Sequence, residues 1–273
     1  MGVRSFLKRH TRQLLGGYVP RDRKIAFIHV PKCGGSSLDR AIEATIGPPR
    51  PRPVPMVARL DDAAAERARL LRGADYLQAR SDLLLYHLGR YGVRYVSGHH
   101  PLPELAYREF HPEWEFVTLF RDPVDRWFSH YFYNRSSSSG HFRITEDLDV
   151  FIGTIRARAM GANFLPVVAP DATWQGDSPP AEVVEAAKSS LDRFAIAGAL
   201  EHLDHFIRQF RKRYGARLFI ERLNANPLSQ AQRDHEVTAE RRERVAELCA
   251  PNIEVYRAVL QRIRRESQDH SSC

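Results

Sequence analysis

Residues 25–38 read IAFIHV, then PKCGG, then SSL. A short, nearly continuous apolar run bounded by a turn is a buried strand. A strand apolar on both faces belongs in a parallel sheet covered by helices. The Pro31-Lys32-Cys33-Gly34-Gly35 turn ends it. Ser36 reads as the N-cap of a helix reaching about Ile46. This one unit fixes the class as α/β and gives the turn a chemistry. Two glycines let the backbone approach a ligand. The first turn of the helix offers free N–H groups and a partial positive charge, which suit a phosphate. Lys32 adds a mobile cation, and Ser36 and Ser37 add hydroxyls. The lysine precedes the glycines, so this is not the G-x-x-x-x-G-K-[ST] loop. The glycines alone would fit any strand-to-helix turn.

The rest of the chain repeats the alternation. Val93–Ser97 and Glu115–Phe120 read as further strands, Phe194–Ala197 as a short one and Ala216–Ile220 as the last. Leu60–Leu88 is helical with an interruption near Gly73, and Asp61 and Asp62 suit its first turn. Asp122 and Pro123 form a helix start, cap followed by proline, with the helix running to Asn134. Asp125, three residues after Asp122, is a weak capping-box variant. Asp147–Met160 and Glu201–Tyr214 are helical. Val237–Arg265 is helical, basic and broken at Pro251, whereas Asn163–Pro180 is irregular and holds Trp174, a residue able to stack on a sugar or to seal the core. The rigid 47–55 stretch is too short to separate two domains. The 273 residues therefore read as a basic N-terminal segment, 1–24, one α/β domain over 25–265 and a flexible tail, 266–273.

A second constellation ends the 115–120 strand. Arg121 sits at the strand–helix junction, and Ser129 lies eight residues on, about two turns inside the helix. Together they can hold a second phosphate. The alternative pairs Arg121 with Asp122 or Asp125. The chemistry of proton removal points to histidine. His99 and His100 follow Gly98 at a strand end, where sites of α/β sheets gather. His29, His111, His130 and His141 are further candidates by chemistry, and His29 falls inside the first strand, where burial is expected.

Composition excludes several classes. Cysteines number 3, without metal-site spacing. No H-E-x-x-H or comparable ligand set occurs. The longest uncharged stretch, Ala159–Pro170, is too short to cross a bilayer. Lys+Arg 41 against Asp+Glu 33 gives +8, which favours anionic partners. Val3–Leu15 reads as a short basic helix, packed loosely on its own domain or lying on an anionic membrane surface.

FIHVPKCGGSSL at Phe27–Leu38 resembles the 5′-phosphosulfate loop of carbohydrate sulfotransferases, and LFRDPVDRWFSHY at Leu119–Tyr131 resembles their 3′-phosphate segment. The two occur in the family's order. The resemblance is to the group that includes heparan sulfate and uronyl 2-O-sulfotransferases and bacterial relatives, with AIAGALEHLDHF at Ala195–Phe206 and NIEVYRAVL at Asn252–Leu260 as weaker later blocks. It implies a P-loop-like α/β fold and a central parallel sheet flanked by helices. It implies 3′-phosphoadenosine 5′-phosphosulfate (PAPS) as sulfuryl donor, a carbohydrate or glycolipid acceptor, and no required metal. Carried onto this chain, Lys32, Cys33, Gly34, Gly35, Ser36, Ser37, Arg121 and Ser129 bind the donor, Lys32 stabilises the leaving charge, and His99 is the base with His100 as runner-up. Cys33 stands where the family commonly has threonine. The expected setting is bacterial and cytoplasmic, with peripheral contact at the inner membrane surface and no nucleic-acid partner.

Two other readings stay open at this stage. A small-metabolite kinase would use the loop for ATP phosphates. A nucleic-acid-binding protein would use Arg241, Arg242, Arg244, Arg257, Arg262, Arg264 and Arg265 as a phosphate-binding stripe.

Overall fold

A computed structural model describes residues 15–47, 56–136, 143–221 and 235–268. Its centre is a 5-stranded sheet in which every pairing is parallel. The strands are β1 (Lys24–Ile28), β2 (Val57–Arg59), β3 (Tyr95–Gly98), β4 (Trp114–Phe120) and β5 (Phe194–Ala199), in the order β2-β3-β1-β4-β5. The helices are α1 (Gly35–Thr45), α2 (Asp62–Arg72), α3 (Tyr76–Leu88), α4 (Glu104–Phe110), α5 (Pro123–Ser136), α6 (Leu148–Ile152), α7 (Ile155–Gly161), α8 (Leu165–Val168), α9 (Ala181–Ser190), α10 (Leu203–Tyr214), α11 (Ala239–Leu248) and α12 (Ala250–Gln268). This is the α/β class expected, a central parallel sheet flanked by helices.

Alternation along the strands explains the two layers. Ala26 and Ile28 of β1, with Phe116 and Phe120 of β4, face a core closed by Leu84 and Leu88 of α3 and Val255 and Val259 of α12. Ile25, Phe27, Val117 and Leu119 face the opposite core, closed by Leu38 and Ile42 of α1 and Phe206 and Phe210 of α10. Each fully buried aliphatic or aromatic side chain of this size contributes about 1.5–3 kcal/mol. A third cluster joins the outer face of α5 (Trp127, Phe128, Tyr131) to Phe151 of α6 and Val245 of α11.

Several elements differ from the sequence expectation. The helix expected over 147–160 is two helices, because the chain turns at Gly153 and Thr154 caps the second by accepting from Ala157 N–H at 3.2 Å. Ala216–Ile220 is not a strand: Ala216 and Leu218 seal the second core, and Arg217 N–H donates to the Gly16 carbonyl instead of to a sheet partner. The C-terminal break falls at Cys249, and Pro251 sits in the first turn of α12, where a missing N–H costs nothing. That helix runs to Gln268, into the stretch expected to be a tail. Trp174 is partly buried and packs on the first core. The edge strand β2, the helix α4 and the single turn α8 carry no strong sequence signal.

Of the expected basic N-terminal helix, only Leu15 is among the described residues; His141 lies outside them, as does 137–140 of the serine-rich loop. Among the described residues no helix is long and apolar enough to cross a membrane, and no group of three metal-binding side chains occurs.

Candidate active site

Three adjacent strands deliver the site. β1 lies between β3 and β4, and Ile28 is in register with Gly98 on one side and Thr118 on the other. Thr118 Oγ1 donates to the Ile28 carbonyl at 2.8 Å, and His29 N–H donates to the Gly98 carbonyl at 3.0 Å. β1 and β3 therefore end level, and β4 runs two residues further, to Phe120. The turn after β1, His99 after β3 and Arg121 after β4 emerge side by side.

The turn has an unusual backbone. Lys32 is in the left-handed region with φ 65°, which costs a non-glycine residue roughly 1–2 kcal/mol. Gly34 follows at φ 76°. Left-handed residues so spaced curl the chain into a concavity lined by N–H groups, an anion-binding shape. Gly34, and not Ser36 as expected, is the N-cap of α1. The helix begins at Gly35, where the His29 imidazole leaves room for no side chain: a Cβ there would sit 2.1 Å from the ring. Ser36 is inside the first turn and exposed, and no cap side chain bonds back to that turn. The Cys33 side chain is fully buried, with Sγ–H donating to the Pro31 carbonyl at 3.7 Å. Burial pushes its thiol up to about 12, so Cys33 offers a ligand its backbone and no thiolate.

Lys32 is half-buried, and burial lowers its ammonium to about 8. Its Nζ lies 2.8 Å from the ring centroid of Tyr133, an aromatic that is itself exposed on α5. Arg121 Nη1 donates to the Lys32 carbonyl at 3.5 Å, across 89 residues of sequence. The two phosphate constellations are thus one surface. Arg121 does not take the pairing with Asp122 or Asp125 that the alternative reading offered. Asp122 caps α5, its Oδ1 accepting from Val124 and Asp125 N–H, both at 3.0 Å. The capping box is not closed by Asp125, which pairs with Arg242. Glu201 Oε1 accepts the Asp122 N–H at 3.1 Å instead, and Tyr256 Oη donates to Glu201 Oε2 at 2.6 Å. Ser129 lies about two turns into α5 and is half-buried.

His99 and His100 separate completely. His100 is fully buried, with Nδ1–H donating to the Arg80 carbonyl at 3.1 Å and burial lowering it to about 4. His99 keeps 29% of its side chain exposed. Its Nδ1–H donates to the His29 carbonyl at 2.7 Å, which leaves the lone pair of the neutral ring on Nε2. The His29 ring packs against it, centroids 4.4 Å apart. Burial first, then the charges of His99 and Lys32, lower His29 to about 3. His130 on α5 behaves alike: burial, then Arg126, Lys32 and His99, lower it to about 3, and its Nδ1 is buried without a partner.

Sequence reasoning missed the part of Asp62, Arg80 and Tyr133 in this site, and gave His29, a further candidate by chemistry, to burial in the first strand. Only topology brings α2 and α3 over the end of β3. The arginines that suggested a nucleic-acid stripe are largely engaged: Arg241 and Arg244 with Asp149, Arg242 with Asp125, Arg257 with Glu254, and Arg262 with Glu266 and the carbonyls of Leu191 and Phe194.

No protein-family model matches the chain, and comparison with curated proteins gives no match. Among solved structures, the chain is similar to that of mouse sulfotransferase SULT7A1 complexed with PAP, at 14% sequence identity and a TM-score of 0.38, over 88% of this chain and 68% of that one.

Proposed function

We propose that the protein is a sulfotransferase that moves a sulfuryl group from PAPS to a hydroxyl of a carbohydrate or glycolipid. The observation that carries this is the junction of the two phosphate constellations, Arg121 Nη1 against the Lys32 carbonyl, beside a partly exposed histidine with its Nε2 free of backbone bonding. The residues fit the donor. A turn with Lys32 and Gly34 at positive φ, a lysine at that loop and an arginine one strand away match a nucleotide with phosphate groups at two separate positions. The donor supplies an electrophilic sulfur and a phosphate leaving group.

The chain's own residues do the rest. The turn N–H groups and Ser36 hold the 5′-phosphate, and Arg121 with Ser129 holds the 3′-phosphate. Lys32 neutralises charge building on the bridging oxygen. His99 Nε2 takes the proton of the attacking hydroxyl. His100 is the weaker base candidate, since its ring is turned into the core. The partners found by the C-terminal arginines weigh against the nucleic-acid reading. In the sulfotransferase reading the basic segment 1–24 meets an anionic membrane and brings the enzyme to a glycolipid, in a bacterial cytoplasm.

Calorimetry with adenosine 3′,5′-bisphosphate and its 3′-dephosphorylated counterpart tests this. The bisphosphate should bind far better than the monophosphate or ATP, and Arg121→Ala should erase most of that difference. An unchanged difference in Arg121→Ala would refute the 3′-phosphate site, and a preference for ATP would favour the kinase.

A further inference from the structure

A base that takes a proton becomes a cation, and the surroundings of His99 are mostly hostile to one. From the loop after β1 comes Lys32, from α3 comes Arg80, and from α5 comes Arg126, beside a His130 that burial keeps neutral. His29, just past the end of β1, and His100, next in the chain to His99, are neutral at working pH. One acid is brought to this group by α2: Asp62, whose Oδ2 lies 3.7 Å from His99 Nε2. That distance is within ion-pair range and beyond a hydrogen bond, as expected where an unprotonated nitrogen faces a carboxylate.

The Asp62 side chain is 53% exposed but tethered. Its other oxygen, Oδ1, accepts from Arg80 Nη1 at 2.7 Å, and the same nitrogen donates to the His99 carbonyl at 3.0 Å. The Arg80 side chain is 6% exposed, so one buried guanidinium fixes both the carboxylate and the backbone of the histidine. On its far side the ring is fixed by the His29 carbonyl. The imidazole is held so that its open nitrogen looks at Asp62.

We propose that Asp62 is a positioning residue for sulfuryl transfer, the carboxylate that receives the imidazolium of His99. The inference rests on the transferase reading above. As the acceptor oxygen–sulfur bond forms, the sulfur–bridging-oxygen bond breaks and its electron pair leaves with the bisphosphate. The hydroxyl proton passes to His99 Nε2, and the new N–H⁺ closes onto Asp62 Oδ2 until solvent removes it. Asp62→Asn keeps an oxygen for Arg80 and turns an NH₂ toward Nε2, so the fold survives while the charge is lost.

The test is a pH titration of the histidine ring signals by NMR on the full chain, with His99 assigned through His99→Gln, alongside calorimetry with adenosine 3′,5′-bisphosphate. In Asp62→Asn the His99 titration midpoint should move to lower pH while the other histidine midpoints stay in place, because the carboxylate favours the charged ring. Asp62→Glu should restore most of it, and bisphosphate affinity should stay within error. An unmoved midpoint in Asp62→Asn, in a chain that binds the bisphosphate, would overturn the inference and leave the transferase reading standing. Failure of the unsubstituted chain to bind the bisphosphate would overturn that reading and the inference with it.

Discussion

Lys32 concentrates two costs at one residue: a left-handed backbone and an ammonium drawn partly out of water. Both are offset if an anion occupies the turn. Because its folded value is lowered to about 8, the empty protein loses this charge as pH rises through 8, well before an ordinary lysine would. A bound phosphate restores the proton. Bisphosphate affinity measured by calorimetry should therefore weaken steadily above pH 8, with proton uptake on binding, and Lys32→Ala should abolish that dependence; a flat affinity from pH 7 to 9.5 would show that Lys32 does not meet the ligand. Gly35 makes a complementary case. A Cβ there would fall 2.1 Å from the His29 ring, so Gly35→Ala must push the imidazole away from both the turn and His99. Overpacking of this kind costs about 1–3 kcal/mol, readable as a lower melting temperature with a loss of bisphosphate binding. Gly34→Ala meets only the flexible tip of Leu200, besides the strain of its positive φ.

At the scale of elements, much of the sheet was legible because apolar runs and glycine-bearing turns are local signals. β1, β3, β4 and β5 fall within two residues of their expected positions, and Asp122-Pro123 opens α5 as read. That cap is testable: Asp122→Ala should cost about 1 kcal/mol, the usual worth of an N-cap, seen as a lower denaturation midpoint, and a variant as stable as the parent would deny the cap its role. What was not legible depends on distant partners. Ala216–Ile220 has the alternation of a strand but finds its backbone partner in Gly16. The split of the 147–160 helix turns on a side-chain bond from Thr154 that competes with an equally plausible continuous helix. The candidate site divides in the same way. Its loop residues are contiguous and carry their chemistry in the sequence, whereas Asp62 and Arg80 join His99 only because α2 and α3 fold back over the end of β3. No spacing rule links residue 62 to residue 99.

Across the whole molecule, three histidines are stored neutral around one end of the sheet. His29 and His130 are lowered to about 3 and His100 to about 4, in each case chiefly by burial. In the unfolded chain each would titrate near 6.5. Between that value and the folded one, the unfolded state binds protons that the folded state refuses, so stability falls as pH falls. The loss begins near pH 6.5 and grows toward pH 4. Above about pH 5 most carboxylates are still ionised, so the window from 6.5 to 5 isolates the histidines. Across it each contributes up to about 2 kcal/mol, from 1.36 kcal/mol per pH unit. Thermal denaturation should show a melting temperature that declines steeply from pH 6.5 to 5 and is level from 6.5 to 7.5. His130→Phe should make the decline shallower, since the ring's buried Nδ1 has no partner to lose. A level melting temperature down to pH 5 would mean that these rings accept protons in the folded state. In that case the end of the sheet would carry several positive charges in mildly acidic solution, and His99 would have competitors for the proton that the proposed mechanism gives it.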